Sequence, residues 1–274
     1  VNGWTMEEFL AACEKFKAAG YAPTNVGSKG GNPSHFFYGE FVCQYNDGNE
    51  LTSTIVEHLQ FDNPTFRKAA EWIEVMRDAG AFPSDTIAAG DWTPSVVLYI
   101  EGKTALCYTF GWTFDNFKGH DDIVEKSVCV SLPKLPDGDR DPTTFTQGTV
   151  NDCYMISSAA WADELKRDCI AALLDEYFGV IELRAAQEGW RVPVDTSILA
   201  QLDYDSDTTI MGKVMRWRIK DNVEGSPMIW QSCPDNTTQF DYQSYMDEFW
   251  AGTINADEYM VKVQASFDEY ADNQ

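Results

Sequence analysis

The chain has 274 residues, 44% of them apolar and 23% charged, proportions ordinary for a globular protein of one large domain or two. Its net charge of −24 works against nucleic acid and against an anionic membrane surface as partners, since both are held by clustered Lys and Arg. No apolar run reaches the roughly 20 residues that span a bilayer, and the seven cysteines are odd in number and form no CxxC pair, which argues against a zinc or redox site.

The chain opens at Val1 with neither an initiator Met nor a signal peptide, so a longer parent protein is expected. Thr5 with Glu8 three residues on is a capping box. Phe9, Cys13 and Phe16 then recur at helical spacing, predicting an amphipathic helix over 5–19 that Gly20 stops. Residues 21–34 are rich in Gly, Pro, Ser and Asn and predict a loop; 35–45 predict a short helix. Pro64 in first helical position, the stripe Ala69, Trp72, Ile73 and Met76, and Gly80 as stop predict a strong helix over 63–79. A third helix is expected over 92–101, strands over 104–110 and 127–131, and a loop through LPKLPDGDRDPTT.

Residues 152–157 read as a strand. Residues 161–178 read as a helix with Leu165, Ile170, Leu174 and Phe178 on one side, continuing to Gly189. Short helical pieces to about 220, an irregular aromatic stretch (MIWQSCPDNTTQF) and helices over 240–251 and 255–271 complete an α/β chain with many helices and few strands. Trp72, Trp161, Trp217 and Trp250 fall on helical patterns and are expected to pack. The cysteines sit in apolar company and read as small hydrophobes, with Cys107 and Cys129 both on expected strands.

The most telling stretch is DWTPSVVLYIEGKTALCYTFGWTFDNF, residues 91–117, where a strand breaks at Gly111 and Trp112 follows. An aromatic just past a strand's C-terminal end lies where open α/β sheets bind ligands, and an indole offers a flat apolar face and one N–H donor suited to a pyranose ring. The alternative is a core tryptophan that covers the strand end. Catalytic motifs are missing: there is no GxSxG, HExxH, P-loop or GxGxxG in a strand–turn–helix context. The three histidines, at 35, 58 and 120, are scattered. A glycoside hydrolase needs two carboxylates about 5–5.5 Å or 6.5–9.5 Å apart, and no acidic pair is singled out. No catalytic residue, metal site or cofactor is expected.

Taken in order, WTMEEFLAACEKFKAAGYAP, FDNPTFRKAAEWIEVMRDAGAF, YIEGKTALCYTFGW, VSLPKLPDGDR, GTVNDCYMISSAAW, GWRVP and MDEFWAGTINADEYMVKVQASFDEY resemble successive segments of extracellular solute-binding protein family 1, the maltose-binding-protein-like sugar-binding proteins of ATP-driven (ABC) importers. The resemblance runs over nearly the whole chain. It implies a helix-rich α/β fold of the type II periplasmic-binding-protein kind, two lobes joined by a hinge. Residues 1–145 would be the first part of the C-terminal lobe, 147–205 a segment of the N-terminal lobe, and 206–274 the closing helices of the C-terminal lobe. Most of the N-terminal lobe would lie outside this sequence, so the chain alone would bind sugar weakly or not at all.

The resemblance also implies a mono- or oligosaccharide ligand held without chemistry, and a membrane permease as partner. The location would be extracellular, with a lipid anchor on the missing N-terminus, or periplasmic. Carried over residue by residue, it marks Trp112 as a stacking platform and Gln147, Gly148 and Asn151 as hydrogen-bonding residues in a hinge-proximal loop, where turn chemistry is the alternative. His35 and Phe36 follow the Gly-rich loop as ligand contacts, a capping histidine being the alternative. Trp190 and Arg191 lie in a loop able to reach the cleft or to cover a helix end. Trp230, Gln231 and Phe240 bracket an irregular segment that approaches the ligand. A carbohydrate-active hydrolase, or a surface protein that keeps the fold without transport, are the rival functions.

Overall fold

The long helices start on side chains that the sequence supplies for the purpose. In the computed structural model, which describes residues 3–45, 51, 53–147, 155–187, 196–203, 205–220 and 224–274, helix α1 (Met6–Ala18) opens on the Thr5–Glu8 capping box. Its Thr5 hydroxyl accepts the Glu8 N–H at 3.2 Å and the Glu8 carboxylate accepts the Thr5 N–H at 2.9 Å. Strand β1 (Ala22–Thr24) follows, then a short pair, β2 (Ser28–Lys29) antiparallel to β3 (Asn32–Pro33). Next come α2 (Ser34–Val42), buried along its whole length, α3 (Pro64–Asp78), capped by Asn63, and α4 (Trp92–Ile100). Strand β4 (Thr104–Leu106) pairs parallel with β1, Ala22 opposite Thr104 and Thr24 opposite Leu106.

After α5 (Asp121–Lys126), β5 (Phe145–Gln147) pairs parallel with β6 (Glu224–Ser226). Between those strands lie α6 (Ser158–Ala162), α7 (Glu164–Glu176), α8 (Glu182–Gln187), α9 (Thr196–Leu199) and α10 (Ile210–Lys220). Helices α11 (Asn236–Trp250) and α12 (Ala256–Asp272) end the chain, each opened by a capping box, Asp235 with Thr238 and Asn255 with Glu258.

The chain divides into two compact units, residues 1–109, 128–149 and 220–274 in the first and 110–127 and 150–219 in the second. The first has an aromatic core in which α2, α3, α11 and α12 meet: Phe37, Tyr38, Phe41, Phe61, Phe249, Trp250, Tyr259 and Phe267 are all buried. Phe249 stacks on Tyr259 with centroids 5.1 Å apart, and the Tyr38 hydroxyl donates to the Phe66 carbonyl at 2.9 Å. Asp247 on α11 ties down the Gly-rich loop, accepting the Gly30 and Gly31 N–H groups at 2.7 and 2.8 Å and the Ser28 hydroxyl at 2.7 Å.

In the second unit, Lys213 on α10 donates to the carbonyls of Val124 and, at 2.6 Å, Ser127, satisfying the open C-terminal end of α5. Helix α7 buries none of its residues, and Leu165 and Phe178 are exposed. Within the apolar stripe expected over 161–178 only Ile170 and Leu174 are half-buried, and Trp161, expected to pack, is also exposed.

Two expected strands are corrected. Strand β4 stops at Leu106 because β1 offers only three residues to pair with. Beyond it the Asn25 side chain takes over the ladder, accepting the Tyr108 N–H at 2.7 Å and donating to the Tyr108 carbonyl at 3.3 Å. Residues 127–131 form no strand, since no described strand lies alongside, and Val128 is exposed. Of the strand expected over 152–157, residues 152–154 fall outside the described set and 155–157 are irregular. The six described cysteines are free thiols; Cys13 and Cys43 are buried, and burial pushes both up to about 12. Among the described residues no helix is long and apolar enough to cross a membrane.

Candidate functional site

Helix α2 organises the candidate site. Its sequence, SHFFYGEFV, sets Phe36, Gly39 and Glu40 one turn apart on one face, with Cys43 at the next turn. Phe36 presents its edge geometry to two indoles: Trp92, at the start of α4, lies 5.2 Å away at 65°, and Trp230, in the 3₁₀ turn Ile229–Ser232, lies 6.4 Å away at 61°. Both indoles are half-buried. The Trp230 indole N–H is enclosed and has no hydrogen-bond partner among the described residues. This is an aromatic wall with an unused donor in it.

One turn along α2 the chemistry becomes polar. Gln147 ends β5 and is 4% exposed. It lies so close to α2 that a Cβ at position 39 would fall 1.6 Å from its Nε2, which is why that position is glycine. Its carboxamide Oε1 is buried without a hydrogen-bond partner among the described residues. The Gln147 N–H and the Thr146 hydroxyl both donate to Glu40, at 2.8 and 3.1 Å. Burial pushes the Glu40 carboxyl up to about 7, against the lowering effects of those two bonds and of Arg140. Arg140 lies over the Phe145 ring at 4.1 Å and donates to the Ser226 hydroxyl at 3.1 Å.

Of the sequence-predicted residues, His35, Phe36 and Trp230 come together. His35 is 2% exposed; its Nε2 lies 3.1 Å from Asn32 Oδ1 and its ring 4.1 Å from Phe36. Burial drives it down to about 3, so it is neutral and packs behind the wall. Gln231 is exposed, and Phe240 is 70% exposed on α11.

Trp112 belongs to the second unit, where the 3₁₀ turn Gly111–Phe117 carries it. It is 52% exposed and stacks on Phe110, centroids 4.9 Å apart and planes 15° from parallel. It is not a sealed core residue. Gly148, Asn151, Trp190 and Arg191 lie outside the described residues.

Sequence reasoning missed Trp92 and Glu40. Trp92 is the second residue of the same 91–117 stretch that pointed to Trp112, and Glu40 is the one acid in helix α2. Either oddity was a usable signal. Among the described residues no cluster of His, Cys, Asp or Glu could hold a metal ion.

The chain has the fold of type II periplasmic solute-binding proteins. It matches a chitin oligosaccharide binding protein with a TM-score of 0.78 at 15% identity, over 98% of this chain and 65% of that one. A structure from work on xylan utilization by the thermophile Caldanaerobius polysaccharolyticus matches with a TM-score of 0.73 at 19% identity, over 96% of this chain and 65% of that one. A sugar transporter from Arthrobacter chlorophenolicus A6 with bound laminaribiose gives a TM-score of 0.63 at 14% identity, over 98% and 65%. The chain thus spans just under two thirds of each of these proteins. No family model and no curated protein matches the sequence.

Proposed function

We propose that this chain is the carbohydrate-capturing part of an ABC sugar importer's solute-binding protein. The observation that carries the reading is the Trp92–Phe36–Trp230 wall beside Gln147, on a fold shared with oligosaccharide binders. Indole faces and edges supply apolar surface to a sugar ring, while the Trp230 N–H and the Gln147 carboxamide oxygen, both enclosed and unbonded among the described residues, match hydroxyl oxygens and hydroxyl hydrogens respectively. The Phe110-backed Trp112 is a further stacking platform.

The reading is non-catalytic. A carboxyl held near 7 has the acidity of a glycosidase acid, but the Glu40 oxygen Oε1 is committed to β5 of its own chain. In this assignment residues 1–145 and 206–274 build the C-terminal lobe and 147–205 belong to the N-terminal one. The intact protein works outside the cytoplasmic membrane, lipid-anchored or periplasmic, and hands its mono- or oligosaccharide to a permease.

Titration calorimetry of the 274-residue chain and of its full-length parent against laminaribiose and chitin oligosaccharides tests this, with chromatography of the same mixtures for cleavage products. Heat from the parent without new products supports capture. Any turnover defeats it in favour of a hydrolase.

A further inference from the structure

Glu40 is 7% exposed, and its Oε1 accepts two polar groups from the end of β5, the Gln147 N–H and the Thr146 hydroxyl. These residues stand just ahead of the boundary at which the chain enters the second unit. The titratable groups that face Glu40 are Arg140 from the loop before β5, Cys43 on its own helix and Tyr108 beyond β4. The β6 strand contributes the Ser226 hydroxyl, which is taken by Arg140. Arg140 is itself spread over Ser226, the Cys43 carbonyl at 3.4 Å and the Phe145 ring, and its pull on Glu40 is the weakest influence there.

A neutral carboxyl keeps both bonds at Oε1 and carries its proton on Oε2. An ionised one is held more strongly by the same two donors and is drawn by Arg140, but it forgoes the water that would otherwise solvate it, which the seated strand keeps out, and that loss is the larger effect. We propose that Glu40 is a positioning residue for Gln147: its uncharged carboxyl seats the end of β5 on α2, and loss of the proton lets that strand end lift. The candidate sugar contact at Gln147 is then held in place in acid and loosened in alkali. The carbohydrate reading is needed only for what Gln147 contacts; the seating stands on the geometry alone.

Amide hydrogen exchange followed by NMR on the full chain tests the proposal. Corrected for intrinsic exchange, protection of the Gln147 amide should fall about tenfold per pH unit between about pH 4.5 and 7, one proton being coupled to opening. Glu40→Gln, whose amide oxygen accepts the same two bonds without titrating, should keep the amide protected and lose the slope. A wild-type slope of zero, or an equal slope in the variant, overturns the proposal.

Should the variant not fold, the wild-type Glu40 carboxyl carbon still decides: a titration midpoint near 7 supports the proposal, and one near the ordinary glutamate value overturns it. Titrating laminaribiose into the same samples separates the two readings. With the slope present, sugar-induced shifts that spare Gln147 and the aromatic wall while other regions respond count against the carbohydrate reading of this site and leave the seating supported.

Discussion

Replacing Glu40 by Gln removes one member of a buried pair whose pH dependences oppose each other. Glu40, carried from 4.5 to about 7 by burial, binds its proton more tightly folded than unfolded. Its contribution to stability is fully present below about pH 4.5 and is lost as pH rises through 7. His35, carried from 6.5 to about 3 by burial, is neutral when folded. Its contribution is present above pH 6.5 and is lost as pH falls through 3. Between about pH 4.5 and 6.5 the two slopes, each about 1.36 kcal/mol per pH unit, cancel.

Glu40→Gln leaves His35 alone, so stability measured against the wild type rises by about 3 kcal/mol from pH 4.5 to 7. The gain follows from the shift of Glu40 from 4.5 to about 7. Urea unfolding of both proteins at half-unit intervals from about pH 4.5 to 7.5 reads the difference directly, and all other carboxylates drop out of it. A difference that stays constant, or that falls with pH, refutes the reasoning.

Two further substitutions probe the surroundings of the site. Gly39→Ala places a methyl group 1.6 Å from Gln147 Nε2, so the carboxamide must move; a helix-propensity gain of about 1 kcal/mol is set against an overpacking cost of about 1–3 kcal/mol. The Gln147 side-chain amide resonances should shift and stability should fall by no more than about 2 kcal/mol, and unmoved resonances contradict the close approach. Asp247→Ala strips three donors, the Ser28 hydroxyl and the Gly30 and Gly31 N–H groups, of a charged acceptor and should cost roughly 2–4 kcal/mol. The urea midpoint should fall with an unchanged m-value, and a loss under about 0.5 kcal/mol argues against Asp247 as the loop's anchor.

Features decided within a few residues were legible in the sequence. The Thr5–Glu8 box and the Asn63–Pro64 start gave α1 and α3 to within a residue or two. The start of α11 was placed four residues late because the Asp235–Thr238 box went unrecognised. What depends on a distant partner was not legible. The run 104–110 has strand chemistry throughout, but β1 is three residues long and the Asn25 amide does the rest. The periodicity of 161–178 is real, yet a stripe becomes a core only where something covers it, and Leu165 stays exposed.

The site shows the same split. Phe36 and Trp230 could be nominated from their company in the sequence, and the structure sets them 6.4 Å apart. Arg140 sits in a loop rich in charged and turn residues, and nothing local distinguishes it; its distant contacts with Ser226, the Cys43 carbonyl and the Phe145 ring give it a role.

The central claim is that the aromatic wall of the first unit takes a sugar. The most direct measurement is the indole N–H spectrum of the full chain as laminaribiose or a chitin oligosaccharide is added up to its solubility limit. The account predicts that the Trp230 resonance, enclosed and unbonded without ligand, moves progressively with weak, roughly millimolar affinity, that Trp92 moves with it, and that Phe36→Ala blunts both. Indole resonances at 92 and 230 that stay fixed with both sugars, while other regions of the chain respond, would contradict it.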